Sequence, residues 1–405
     1  MTSTREDERI DEDFLQHVHP MFALLRDESP VRPVRTPNGL RVWLVTRYDD
    51  VRAGLGDSRL SKDIRHSEEL IARHLPGTGV GDHREYARLL NLHMLNTDPP
   101  DHTRLRRLVG RVFTARRVEQ LRPRIEEITE QLLASMPTGV PVDLIEAFAA
   151  PLPITVICEL LGVPTADRER FRGWCRVLES SVGGPELGRA GQAMADYLDW
   201  LCVTKRANPD GGLISALVQP DNDGDQLSTA ETTSMAYLLL VAGHETTVNL
   251  IANGVLTLLT HPDHLARLQA DPALVPAAVE EFLRYESPVT VATRRYTTEP
   301  VEIGGITIPA GEFVLLCLSS ANRDPSRFPD ANAFDPTRST HGHLAFGHGI
   351  HFCLGAPLAR LEGEIAFTQL LARLSSARLA VPAEQLRWRF SLLMHGLEEL
   401  PVVLG

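Results

Sequence analysis

The sequence predicts a mainly helical protein with a small β-rich part. Three features carry that reading: helical apolar periodicity dominates from about residue 100 to 285, the run Arg41 to Thr46 alternates and is β-rich, and short β-like runs recur between Arg295 and Val314. The 405 residues are 43% apolar, enough to bury a sizeable core. The 29 glycines and 28 prolines are scattered, and no linker, low-complexity tract or repeat interrupts the chain. One continuous domain over residues 1–405 is therefore expected. Its β-rich part is placed at about 30–60 and 289–320, with helices making up the remainder.

The clearest helix begins at Ser228, where Ser228-Thr229-Ala230-Glu231 reads as a capping box, and runs to His261-Pro262. At about 1.5 Å per residue it is on the order of 45–50 Å long. Its middle, Met235 to Gly243, is apolar nearly all round and belongs in a core; that stretch is too short to span a bilayer. A second helix opens at Asp271-Pro272, an N-cap followed by a first-turn proline, and runs through Glu281 and Arg284 to Ser287-Pro288. Short strands follow around the turns Gly304-Gly305 and Pro309-Ala310-Gly311, then a proline-rich irregular stretch from Asn322 to Arg338. A last helix starts just after Cys353, and strand-like pieces around Trp388–Leu393 and Leu400–Leu404 close the chain.

A net charge of −12 argues against nucleic acid as a partner. The N-terminal residues are acidic and polar, without the basic start and apolar run of a secretory signal, so a cytoplasmic protein that does not enter a membrane is expected. The five cysteines (Cys158, Cys175, Cys202, Cys317, Cys353) are odd in number and far apart, unlike a disulfide framework. Charge is uneven: eight arginines lie between Asp101 and Arg124 against two acids, Asp101 and Glu119. In an arbitrary chain such a run is a solvated face.

The chemistry concentrates at Phe346-Gly-His-Gly-Ile-His-Phe-Cys353-Leu-Gly355. A cysteine just before a helix has its thiolate favoured by the helix dipole and free backbone N–H groups, which lowers its pKa and makes it a metal ligand. The glycines let backbone approach a flat cofactor closely. Phe346 and Phe352 are placed to shield the sulfur. Zinc is the rival reading, since His341, His343, His348, His351 and Cys353 fall within thirteen residues, but no Cys-x-x-Cys supplies a second knuckle. In the central helix Gly243 costs about 1 kcal/mol relative to alanine, which asks for either close packing or an opened groove. Ala242, Thr246 and Asn249 share one face by helical spacing, and the charged Glu245 beside His244 is hard to explain as core packing alone.

The cysteine segment resembles the haem-binding signature of the cytochromes P-450, matching at every expected position. Three further stretches resemble the same family in the expected order. Glu281-x-x-Arg284 is similar to its Glu-x-x-Arg motif, with Arg338 as the third member of a buried ion-pair network. Ala242-Gly-His-Glu-Thr-Thr247 resembles the oxygen-activation motif, and His102-x-x-x-Arg106 the propionate-binding pair. The similarity runs from roughly residue 40 to the C-terminus and looks closest to bacterial members that tailor macrolides and other polyketides.

The resemblance implies the triangular-prism fold and a haem-thiolate monooxygenase whose iron is ligated by Cys353. The haem b would be held by His102, Arg106, Ala242, Arg295, Phe346, His351 and Gly355, with Thr246 and Glu245 as catalytic residues delivering protons during oxygen activation. It implies hydroxylation of a C–H bond or epoxidation of an alkene in a small apolar secondary metabolite. The chain shows no dinucleotide fingerprint, so electrons from NAD(P)H are expected through an external ferredoxin and its reductase. The docking face is placed near Arg104, Arg107 and Arg111, and a monomer is expected. The substrate pocket is placed at Leu92, Val241, Val289, Val291, Leu393 and Met394, with a mobile lid around Gly183-Gly184-Pro185. Two alternatives stand beside this reading: a haem-thiolate peroxygenase using hydrogen peroxide, and a non-catalytic haem sensor.

Overall fold

The computed structural model of the protein describes residues 8–74, 90–179, 185–221 and 223–405. The expected lid at Gly183-Gly184 lies outside them.

The central helix spans Thr229–Thr260, and both halves of its capping box form: Glu231 N donates to Ser228 Oγ at 3.2 Å, and Ser228 N to Glu231 Oε2 at 2.8 Å. Helices Pro151–Leu161, Pro185–Ala207, Val275–Tyr285 and Ala356–Arg373 pack round it. By length and composition this helix could cross a membrane, contrary to the reading of its apolar stretch as too short; yet 72% of its most apolar window is buried by the protein itself. Burial against sister helices consumes the apolar surface that a bilayer would otherwise cover.

After His261 the chain turns and restarts as Pro262–Ala270, with proline at the first helical position, where its missing N–H is no loss. The next helix departs slightly from expectation. Asp271 caps a single tight turn, Pro272–Leu274, and the α-helix proper begins at Val275. Pro276 has no N–H to donate back to Pro272, which breaks the helical ladder between the two pieces.

A five-stranded sheet runs in the order Val31–Arg35, Arg41–Val45, Phe313–Leu316, Arg295–Thr297, Leu60–Ser61, with Arg41–Val45 parallel to Phe313–Leu316 and the other pairs antiparallel. Its two faces carry separate apolar clusters, one around Leu55, Val301 and Leu316, the other around Phe14, Phe22 and Phe313. The helices share one larger core. Pro401–Val403 is a strand, paired with Pro141–Asp143 and Arg378–Leu379. Residues 388–393 are not: they form a loop held by the single bridges Trp388 to Leu397 and Val289 to Met394. There Ser391 N donates to Arg389 O and Arg389 N to Gly396 O, so the loop satisfies its backbone by folding on itself rather than along a ladder.

Candidate active site

Four cysteines are buried and Cys353 is exposed. Its loop is fixed by Cys353 N donating to Phe346 O at 2.9 Å and by Gly347 and Gly349, both left-handed at φ +72° and +75°. Gly349 has a second constraint, since a Cβ there would sit 3.1 Å from Leu55 O. The thiol pKa is raised, not lowered as the sequence suggested. The side chain borders open space yet lies deep in the protein body, and that depth outweighs the N–H groups of Gly355 and Ala356 and the charge of Arg106, which pull the other way. Coordination to a metal cation would favour the thiolate, because a coordinating thiol is deprotonated.

On the central helix Ala242 is exposed although the helix lies in the core, and Thr246 is half-buried on the same face. Thr246 Oγ1 donates to Ala242 O at 2.8 Å, leaving the hydroxyl oxygen able to accept from the open side. A Cβ added to Gly243 would meet only Ile157, at 3.5 Å, so close packing does not require this glycine. Gly254 is the opposite case: a Cβ there would lie 2.3 Å from the Phe367 ring. Asn249 departs from the open face and packs against Gly396. Glu245 is 6% exposed and accepts a hydrogen bond from Arg389 Nη1 at 2.8 Å, a partner 144 positions away that no local pattern announces.

A third group collects basic side chains. His102 is 2% exposed with both ring nitrogens unpartnered, and its ring centroid lies 4.4 Å from that of His351. Arg295 is buried with Nε unpartnered, and Arg106 Nη2 donates to Phe352 O at 2.7 Å. Burial, then the charges of Lys62, Arg295 and Arg106 together with His102, drive the His351 pKa down to about 2.

Glu281 gathers Arg284 and Arg338 into one ion-pair network. Arg284 grips Glu281 through two bonds of 2.7 Å, both side chains fully buried, and Arg338 Nε reaches the same carboxylate at 3.2 Å. Arg284 Nη1 also donates to the carbonyls of Asn322 and Ala331. The sequence reading missed the neighbouring Glu280, which binds His343 at 2.9 Å and Arg360 at 2.6 Å, while Arg360 lies 4.6 Å over the Phe346 ring. Two adjacent glutamates thus tie one helix to both flanks of the cysteine loop. Of the five side chains weighed for zinc, His343 is engaged by Glu280 and His351 faces His102. Among the described residues the group able to converge on a metal is His19, Glu286 and His395, well away in sequence from the cysteine loop.

The family model described as cytochrome P450 matches residues 184–395. Cytochrome P450 107B1 of Saccharopolyspora erythraea is 52% identical over 393 residues, covering 97% of this chain and 96% of the relative. The chain belongs to the cytochrome P450 family. It is also 46% identical to 6-deoxyerythronolide B hydroxylase of the same organism, over 94% of each chain. The tirandamycin C-bound P450 monooxygenase TamI superposes with a TM-score of 0.91 at 48% identity, covering 98% of this chain and all of that one. The protein is therefore a cytochrome P450 monooxygenase with the P450 fold, and its relatives include macrolide- and polyketide-tailoring members.

The P450 family carries a haem-thiolate cofactor, and the residues present fit one. The exposed sulfur of Cys353, the bare patch at Ala242 and the orphaned buried donors of His102 and Arg295 are the features a flat metal-bearing group with two carboxylates would satisfy. Phe346 and Gly355 are both half-buried beside the sulfur.

Two expectations need correction. The arginines named for partner docking are spent inside the chain: Arg104 pairs with Asp225 and Glu231, Arg107 with Asp221 and Asp225, and Arg111 donates to the carbonyls of Pro220 and Gln219. Acids that lie a hundred residues downstream neutralise this face, which composition within 101–124 could not show. Among the pocket residues, Val291 is 2% exposed and packs into the apolar cluster with Phe14 and Phe313. Leu92 and Leu393 are exposed, Val241, Val289 and Met394 half-buried, and Thr290 N donates to Leu393 O, which brings the 289 and 393 segments together.

Proposed function

We propose that this P450 inserts one oxygen atom of dioxygen into a C–H bond, or adds it across an alkene, of an apolar secondary metabolite of the macrolide or polyketide kind, while two electrons and two protons reduce the other atom to water. The observation that carries this is the juxtaposition of an exposed cysteine with a cradle of unpartnered buried donors. The hydroxylase of 6-deoxyerythronolide B and the tirandamycin-bound neighbour support the substrate class.

When bound, the haem supplies the activation of dioxygen. Cys353 would hold its iron, and His102, Arg106, Arg295 and His351 would hold its carboxylates. Ala242 would leave room for the haem, and the Thr246 hydroxyl, whose own proton goes to Ala242 O, would accept a hydrogen bond on that open side and so position a proton there. Glu245 draws protons toward Thr246 from solvent, reached past Arg389, whose side chain is 31% exposed. Glu281, Arg284 and Arg338 keep the cysteine loop in place; removing one partner of a buried pair strands the others and costs several kcal/mol. Leu92, Val241, Val289, Leu393 and Met394 offer apolar contacts to the substrate.

Electrons from NAD(P)H come through a ferredoxin and its reductase, in the cytoplasm. In place of the neutralised Arg104–Arg111 face, we place the donor at a recess of about 550 Å³ beside the cysteine loop, walled by Arg52, His341, His348, Arg360 and Phe352.

The test is spectral and catalytic together. Haem-loaded protein, reduced under carbon monoxide, gives a thiolate-type spectrum that Cys353→Ser abolishes, and turns over a macrolide or polyketide with ferredoxin and dioxygen. A histidine-type spectrum, or turnover with peroxide alone and none with ferredoxin, overturns the reading.

A further inference from the structure

Lys62 and Lys205 are the two lysines of a chain otherwise dependent on arginine for its positive charge. Lys205 pairs with Asp210 in the ordinary way. Lys62 does not behave like a surface lysine. It follows the strand Leu60–Ser61 at the sheet edge, is 6% exposed, and its Nζ has one described partner, the uncharged Thr293 Oγ1. Burying an ammonium with so little compensation is costly unless something else meets it.

Its surroundings make the cost worse. Arg295 repels it, and its own charge weighs on His93, His102 and His351. Asp98 is the one carboxylate acting on it, and Asp98 is already engaged with Ser61 Oγ and the Lys62 backbone N–H. Arg106, Arg295 and Lys62 gather here with few carboxylates to meet them, Asp98 acting on Lys62 and Asp98 with Asp57 on Arg295. Burial and the charge of Arg295 push the Lys62 ammonium well below its ordinary pKa, and the two negative charges of the haem propionates are what would hold it charged.

We propose that Lys62 is a haem-propionate ligand, completing with Arg106 and Arg295 a three-cation cradle for the two propionates. The inference rests on the haem-thiolate reading above. It explains why a lysine is tolerated in this interior, and why Thr293 is its neighbour: the hydroxyl orients Nζ while leaving its other protons to donate.

The test uses haem-loaded protein. Lys62→Met should keep the thiolate-type carbon monoxide spectrum yet lose haem to an excess of apomyoglobin roughly tenfold or more faster than wild type, as loss of a charge-assisted hydrogen bond requires. Its iron midpoint potential should fall, since a cation that favours the extra electron is gone. Lys62→Arg should restore both. Haem loss and potential unchanged in Lys62→Met overturn the proposal while leaving the thiolate reading intact. A wild-type protein without the thiolate spectrum overturns the underlying reading instead. Should Lys62→Met yield no haem-loaded protein, Lys62→Arg decides: wild-type haem retention supports the charge-based role, and rapid loss overturns it.

Discussion

At the scale of single residues, what a side chain does here depends on which distant group meets it. Glu362, in the helix that follows Cys353, is 1% exposed with Oε2 unpartnered, and burial raises its carboxyl to about 8 against a modest opposing hydrogen bond with Thr247. It is therefore protonated at neutral pH. The folded state holds its proton up to about 8 while the unfolded chain releases it near 4.5. Stability contributed by this site is thus present at low pH and lost as pH rises through that window. Glu362→Gln should abolish this part of the slope, so the urea midpoint of the variant gains on wild type between pH 5 and pH 9; parallel curves would refute it. Thr246→Ala removes the hydroxyl on the open face but leaves the helix intact. Expected is a drop in product formed per NAD(P)H consumed by roughly tenfold or more, as for loss of a group that positions a transferred proton, with substrate binding little changed. Unaltered coupling measured by product and NAD(P)H assays counts against its role.

At the scale of elements, glycine separates packing from function. Gly243 and Gly254 lie eleven positions apart in one helix and read alike in sequence, yet only Gly254 is pinned, by Phe367 and Phe282. Gly254→Ala should cost about 1–3 kcal/mol in thermal or denaturant unfolding despite the better helix propensity of alanine, because the ring cannot give way without moving its neighbours. Gly243→Ala should cost less than that or gain. Helix limits were legible because capping is local: Ser228 and Glu231 announce their own helix. The loop at 388–393 was misread as a strand because its alternation says nothing about whether a partner edge is available. The broken start at Asp271 turns on Pro276, a detail of local hydrogen bonding rather than of periodicity.

For the molecule as a whole, charge is the property composition describes least well. The run at 101–124 reads as a cationic face, but the chain from Gln219 to Glu231 folds over part of it with acids and carbonyls. Arg104→Ala with Arg107→Ala should therefore change the apparent KM for ferredoxin less than Arg52→Ala with Arg360→Ala, with the thiolate spectrum checked in both because Arg360 also holds Glu280. Equal or reversed effects in steady-state reduction assays would refute this placement.

By itself the sequence determined the helical class, the capped central helix and the cysteine loop, since each is written within a few residues of helical or turn spacing, whereas the Glu281–Arg284 pair was legible only through the family resemblance. Tertiary structure alone decided that Arg389 meets Glu245, that Lys62 joins Arg295 and His351, and which arginines stay free. Those outcomes depend on contacts between residues 100 to 300 positions apart, and electrostatic energy follows distance in space, which no local pattern encodes.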